Sequence, residues 1–366
     1  MRVLQLVNSA DTGGAQTLIE ALGRRLGPDV EMHTAVLLGA DVLSPRLEAV
    51  SASLTHLGLT TRTLRADRAA AAVRALVRRH GVDVVHSHLF QADVVNILTR
   101  GSHGRVTTVH TTGMTASDPV RSRLLARAVA VVSARAFDAS VACGPAAQAY
   151  MRRAGYGSTS DVVRNGVPVP VAPPAARERS GVVLCLSRWH PMKDHATLLD
   201  AFAVVAAADA RATLVLAGSG TGPDNDELAA MVRHRGLERR VARLGPVQDV
   251  GELLARAELL VISSSYGEAL PMAGAEALAA GLPVVSTDVG DCATLTVDPR
   301  LLCRPRDPDA LARAIRTVLG VPGQEYDDLA RGSWARARTT LSVDEAVDRY
   351  RALYERVVAA ASRAVA

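Results

Sequence analysis

Short, uninterrupted apolar runs alternate with amphipathic or alanine-rich stretches along almost the whole chain, and this alternation limits the fold more than any other feature. In the first half the apolar runs lie at residues 3–7, 33–37, 82–86, 106–110 and 139–143, with helical stretches at 16–26, 66–80, 91–100 and 120–135. In the second half the runs at 182–186, 213–217, 241–244, 259–262 and 283–286 are separated by helical stretches at 196–207, 227–235, 251–256 and 272–279. Strands that are apolar at successive positions must be covered on both faces, which is the condition of a parallel sheet flanked by helices. The expected class is α/β, with doubly wound, Rossmann-like sheets.

A chain of 366 residues is too long for one such core. The break is legible at residues 163–174, where Pro168, Pro170, Pro173 and Pro174 prevent a helix or a central strand from continuing. The expected division is residues 1–168 plus 346–366 against residues 169–345. The final stretch, 343–366, places Val347, Tyr350, Leu353, Tyr354 and Val357 on one helical face and is expected to pack back across both domains. Ligands of open parallel sheets sit beyond the carboxyl ends of the strands, so two such domains are expected to face one another across a cleft.

Composition removes several classes of function. Hydrophobic residues are 48% and charged residues 22%, the balance of a globular chain. No charge-free run of about 18 apolar residues is present, and the first eight residues turn polar too soon for a signal peptide, so a cytoplasmic location is expected. Aromatic residues are only 3% and the arginines are dispersed, which argues against nucleic acid as a partner. Cys143, Cys185, Cys292 and Cys303 show no metal-binding spacing and are expected to be inert thiols. The net charge of +5 suits anionic substrates or lipid head groups. Of 42 basic residues, Lys193 is the only lysine, a compact ammonium where every other basic position is a guanidinium.

Four places carry chemistry. After the first strand, Gly13 and Gly14 precede a helix, where backbone N–H groups can approach an anion, or simply make a tight turn. His86, His88 and His110 close two strands; the first two read as structural, and His110 is the better cleft candidate because Thr111-Thr112-Gly113 follows it. Arg188 and Lys193 flank one loop at a strand end, where they could neutralise a diphosphate leaving group. Finally, Glu268 lies in a loop and Glu276 one turn inside an otherwise apolar helix, where a carboxylate needs partners such as ribose hydroxyls. The N–H groups at that helix start would face an anion or sugar oxygens.

These motifs, in this order, resemble the family 4 retaining glycosyltransferases of the GT-B fold. The resemblance covers nearly the whole chain. It rests on Gly13-Gly14-Ala-Gln, Asp-Val-Val-His-Ser-His88, Thr-Val-His110, Val-Arg-Asn165-Gly166-Val and the Arg188/Lys193 loop. The strongest part is Ser-Tyr-Gly-Glu268 with Glu276, followed by Ser-Thr-Asp288-Val-Gly290-Asp291. It implies an N-terminal acceptor-binding and a C-terminal donor-binding domain. Glu276 would hold the donor ribose, and Arg188 and Lys193 its diphosphate. Glu268 would contact the sugar hydroxyls, with backbone N–H groups of Ala269, Leu270, Pro271 and Met272 nearby. Gly14 would admit the diphosphate or acceptor, and His110 would contact the sugar near the reacting carbon.

The implied reaction moves a hexose-type sugar from a nucleotide-diphosphate sugar to a hydroxyl, with retention, no cofactor and no metal, the two cations replacing an ion. The chain departs from the family pattern at Met272-Ala273-Gly274, at Gln16 and at residues 297–300, which leaves the sugar pocket, the acceptor side and base recognition open. Other readings of the same plan are a sugar-nucleotide epimerase, a phosphorylase, or a non-catalytic sugar-nucleotide-binding protein. The acceptor is open among a small metabolite or antibiotic, a lipid and a glycan. Arg121, Arg123 and Arg127 would suit peripheral contact with an anionic membrane, and equally a solvated helix face. The Ala- and Arg-heavy composition points to a GC-rich bacterial source.

Overall fold

A computed structural model describes residues 1–10, 14–39, 43–59, 65–113, 119–157, 160–175 and 178–365. The chain forms two compact units, residues 1–166 with 343–366 and residues 167–342.

The first unit is a seven-stranded sheet in which every pairing is parallel. Its strands are β1 (Arg2–Val7), β2 (Glu31–Val36), β3 (Ser53–His56), β4 (Val84–His88), β5 (Gly104–Val109), β6 (Ala139–Ala142) and β7 (Ser160–Val162), in the order β3-β2-β1-β4-β5-β6-β7. The two-residue period of a strand divides its side chains cleanly. Val3, Val7, Val84 and Val106 pack beneath helices Gly14–Arg25 and Val343–Val365. Leu4, Leu6 and Val85 pack on the opposite face, against helices Ala66–His80 and Phe90–Leu98. The C-terminal helix belongs to this unit: Val347, Tyr350, Leu353, Tyr354 and Val357 all enter its core. Val343 lies in that core, whereas Leu341 lies in the core of the other unit, so the chain changes unit within a few residues.

The second unit is a six-stranded sheet, also parallel throughout. It consists of β8 (Val182–Leu186), β9 (Thr213–Ala217), β10 (Val241–Gly245), β11 (Leu259–Ile262), β12 (Val284–Thr287) and β13 (Leu302–Cys303), ordered β10-β9-β8-β11-β12-β13. Leu198, Phe202, Leu214, Leu216, Val261 and Ile315 fill one face, and Leu184, Leu254, Leu260, Ala275, Leu278 and Val284 the other. Val167 closes this unit by donating to Leu341 O (2.8 Å) and bridging Ser342.

The expected class holds in both units. Three strands went unread, β3, β7 and β13, and all are sheet edges of two to four residues, too short to show an apolar run. All four cysteines are buried and stand outside any disulfide.

Candidate active site

In each unit the strand order reverses direction once, between β1 and β4 and between β8 and β11. At such a point adjacent loops diverge to opposite faces and leave a crevice at the strands' carboxyl ends. Gly14, Arg188, Lys193 and Glu268 fall at these two places, and His110 lies one strand further, after β5.

In the C-terminal unit the loop after β8 carries Arg188 and Lys193, and the loop after β11 carries Glu268. The two loops are tied together: Ser265 N donates to Met192 O (2.8 Å), and Ser263 Oγ donates to Lys193 O (2.7 Å). Lys193 itself is set by a 3-10 turn, Pro191–Lys193, which His190 caps by accepting from Met192 N (3.1 Å). Asp194 follows with φ +48 and caps helix His195–Ala208 through Thr197 N (3.2 Å). Rigid punctuation on both sides therefore aims one flexible stem. The Lys193 ammonium pairs with Glu268 Oε1, which also accepts from Ser264 Oγ (2.5 Å).

Both partners are largely withdrawn from water, their side chains 18% and 7% exposed. Breaking such a pair by removing one member costs about 3–5 kcal/mol, because the survivor stays buried and uncompensated. The burial of Cys292 and the nearby Glu268 carboxylate push that thiol up to about 12.

Gly290, with φ +61, holds the underside of the site. A β-carbon there would lie 1.8 Å from Glu268 O, and the next residue, Asp291, donates its N–H to Ala269 O (2.9 Å). Helix Met272–Ala279 starts immediately after Pro271, so the amides of Ala269, Leu270 and Met272 lie at its positive end. Pro271 has no amide proton and drops out of the expected donors. Glu276 is half-buried on this helix, and Arg188 is exposed and takes no part in the Lys193–Glu268 pair.

The sequence reading passed over one loop, Gly218-Ser219-Gly220-Thr221-Gly222 after β9, although five small residues following a strand are a signal. It runs directly along the Arg188 loop. Trp189 N donates to Ser219 O (2.7 Å), and a β-carbon on Gly218 would meet Ser187 O at 2.2 Å.

In the N-terminal unit Gly14 begins helix Gly14–Arg25, and Gly13 lies outside the described residues. Gln16 Nε2 donates to Ser9 O (2.8 Å). Asn8 Nδ2 donates to Gln91 Oε1 (2.5 Å), joining the end of β1 to the first turn of helix Phe90–Leu98. Leu89, between β4 and that helix, is held at φ +74, a strained value for a bulky residue. His110, half-buried, follows β5, and its Nε2 lies 3.0 Å from His88 Nδ1. Burial lowers its pKa to about 4. His86 is structural as expected, with Tyr354 Oη at 2.7 Å and Thr108 Oγ1 at 2.8 Å on its two ring nitrogens. His88 does more than fill space, since it bonds His110. Gln5 and Asn165, which sequence reasoning gave no role, lie on the same network.

Residues 12–169 match the family described as Glycosyltransferase Family 4, and residues 180–320 match Glycosyl transferases group 1. The chain belongs to this family of GT-B glycosyltransferases. It is 29% identical to a D-inositol 3-phosphate glycosyltransferase of Nocardioides sp., over 90% of this chain and 82% of the relative. It is 32% identical to glycogen synthase of Mycobacterium tuberculosis, over 50% of this chain and 44% of the relative. The chain spans less than half the length of several of the curated relatives it matches. Among solved structures, Anabaena HepE in complex with UDP superposes with a TM-score of 0.81 at 21% identity, covering 97% of this chain and 100% of that one. HepE has also been solved with UDP and glucose and with UDP-glucose.

Proposed function

We propose that the chain is a retaining glycosyltransferase that moves a hexose-type sugar from a nucleotide-diphosphate sugar to a hydroxyl acceptor without a metal ion. The observation that carries this reading is the Lys193–Glu268 pair at the strand-order reversal of the C-terminal unit, with Arg188 on the same loop as Lys193. Family membership supports it.

On this reading the C-terminal unit binds the donor. The diphosphate exchanges with Glu268 for the Lys193 ammonium, and Arg188 adds a second cation. Two positive groups are then already in place where the leaving phosphate gains charge, so no ion has to be recruited. The released Glu268 carboxylate accepts hydrogen bonds from the donor sugar's hydroxyls. Glu276 takes the ribose hydroxyls, and the amides of Ala269, Leu270 and Met272 line the helix start. The N-terminal unit, with Gly13, Gly14 and His110, meets the acceptor and the sugar. No carboxylate is needed as nucleophile: the departing phosphate oxygen takes the acceptor's proton as the new glycosidic bond forms on the same face.

The acceptor is a small metabolite, a lipid or a glycan. The name of the Nocardioides relative makes D-inositol 3-phosphate the first acceptor to try. No helix of the described residues is long and apolar enough to cross a membrane. The enzyme is placed in a bacterial cytoplasm, with peripheral membrane contact through Arg121, Arg123 and Arg127 where the acceptor is a lipid.

The test is calorimetric titration of EDTA-treated protein with UDP, GDP, ADP and TDP, then with the matching sugar nucleotides, followed by NMR of the product anomer. Saturable binding of one nucleotide without metal and a product of the donor's own anomeric configuration are expected. An inverted product, or strict metal dependence, would overturn the corresponding part. Binding without turnover would leave a sugar-nucleotide-binding protein.

A further inference from the structure

The hydrogen bonds behind His110 have a direction, and donor counting supplies it. Gln5, His86, His88, Thr108 and His110 alternate along β1, β4 and β5 and its end, on the sheet face covered by helix Val343–Val365. Gln5 Oε1 can only accept, so His88 Nε2, 2.8 Å away, carries the proton. A neutral imidazole has one N–H, so His88 Nδ1 is an acceptor, and His110 Nε2 at 3.0 Å must donate to it. His110 Nδ1 is left with its lone pair. On the other side Gln5 Nε2 donates to Tyr354 Oη (3.1 Å). Beyond it Tyr354 Oη lies 2.7 Å from His86 Nδ1, and His86 Nε2 lies 2.8 Å from Thr108 Oγ1, two contacts in which either side can donate. Every bond from His110 to Tyr354 thus points the same way, and each link polarises the next.

Neutrality of the three histidines, which this count requires, follows from their surroundings. Burial holds His86 at about 3 and His110 at about 4, and keeps His88 well below the ordinary histidine value. The groups bonded to or stacked on them are one another, Gln5, Thr108, Asn165, Tyr350 and Tyr354, all uncharged.

The outer end of this chain is underused. Asn165 is 4% exposed and its Oδ1 has no partner among the described residues, while its Nδ2 lies 3.5 Å from His110 Nδ1, at the outer limit of a hydrogen bond. A buried acceptor without a donor is costly in an unliganded fold. Two acceptors near one another call for a ligand that donates, and a hydroxyl does so.

We propose that Gln5 and His88 are positioning residues that lock His110 in its Nε2–H form, so that His110 Nδ1 and Asn165 Oδ1 accept hydroxyl protons from the bound sugar. The identity of that hydroxyl rests on the transferase reading; the lock does not. The arrangement also keeps the imidazole uncharged, and so harmless to positive charge developing on the sugar ring.

The test is nitrogen NMR of unliganded, histidine-labelled protein, which distinguishes protonated from bare ring nitrogens. The wild type should show His110 with Nδ1 bare and Nε2 protonated. Gln5→Leu removes the acceptor for His88 and should let both forms of His110 appear, with kcat falling roughly tenfold or more while affinity for the bare nucleotide is kept. A protonated Nδ1 in the wild type, or a Gln5→Leu spectrum with the wild-type pattern at His110, would overturn the proposal. The wild-type spectrum needs no variant to fold. Absence of any sugar transfer would instead count against the transferase reading and leave the lock standing.

Discussion

In the N-terminal unit polar side chains run through the buried face of the sheet, from Gln5 through His88 and His86 to Thr108, under two tyrosines of the C-terminal helix. In the C-terminal unit β8 and β11 carry no charged or hydroxyl side chain, and the polar groups gather in the loops beyond them. Both are doubly wound parallel sheets, so the difference lies in what each does with polarity. A buried neutral network fixes proton positions and geometry, because every member is costly to leave unpaired. An ion pair at a strand end stores charge that an entering anion can redirect. On the proposed reading the first unit holds a shape and the second exchanges partners.

The largest effect that would break this contrast is on Lys193. Lys193→Arg keeps the charge but replaces a point ammonium with a planar fork. A fall in kcat of about 10²–10³-fold is expected from steady-state assays of sugar transfer, and near-normal turnover would remove the special role of the only lysine.

Glycines give a stability test inside each unit. Gly290→Ala drives a β-carbon into Glu268 O, and a loss of more than about 2 kcal/mol in urea unfolding is expected. Gly58→Ala, at a similar φ of +63 but with nothing among the described residues within 4 Å, should cost only about 1–2 kcal/mol from backbone strain. Equal losses would mean that the close approach at Glu268 is relaxed away.

Glu276→Ala should weaken free-nucleotide binding by about ten- to a hundredfold, the loss of charge-assisted hydrogen bonds to a ribose. An unchanged affinity in calorimetry would detach Glu276 from the ribose.

The smallest and most discriminating effect is pH dependence. His86 and His110, held at about 3 and about 4, refuse protons that the unfolded chain accepts below about 6.5. The stability they contribute is therefore full above that value and is lost as pH falls toward 4. Asp93 works in the opposite sense. Burial raises it to about 7, although Ser87 Oγ and Thr107 Oγ1 both donate to it at 2.7 Å. The unfolded chain loses that proton from about pH 4, so Asp93 subtracts stability as pH rises to about 7 and restores it on acidification. Scanning calorimetry from pH 8 to 4 should show the N-terminal unit losing stability, and Asp93→Asn should make the loss steeper by removing the compensation. The C-terminal unit, with His195 at about 4, should respond less.

Much of the site was legible because strand ends are legible. An apolar run that stops at a histidine, at Arg188 or before Glu268 announces both a strand and the group beyond it. Gln5 could not be read in this way. A single polar residue inside β1 looks like an interruption until β4 and the C-terminal helix, far along the chain, bring His88 and Tyr354 to it. Asn165 lay in a recognised motif without a role, since its partner His110 is contributed by another strand. The helices at Pro145–Ala154, Pro308–Gly320 and Gly323–Thr340 were also missed, the last with a sparse apolar stripe that only its place over the second core explains.

The sequence by itself determined the α/β class, the break near the proline-rich segment and the family, because these depend on periodicity and on residues close together in the chain. Tertiary structure alone decided that the lysine's charge rests on Glu268 and that His110 is anchored through His88 to Gln5. Both are contacts between segments tens of residues apart, and a parallel sheet joins such segments only after its crossovers have formed.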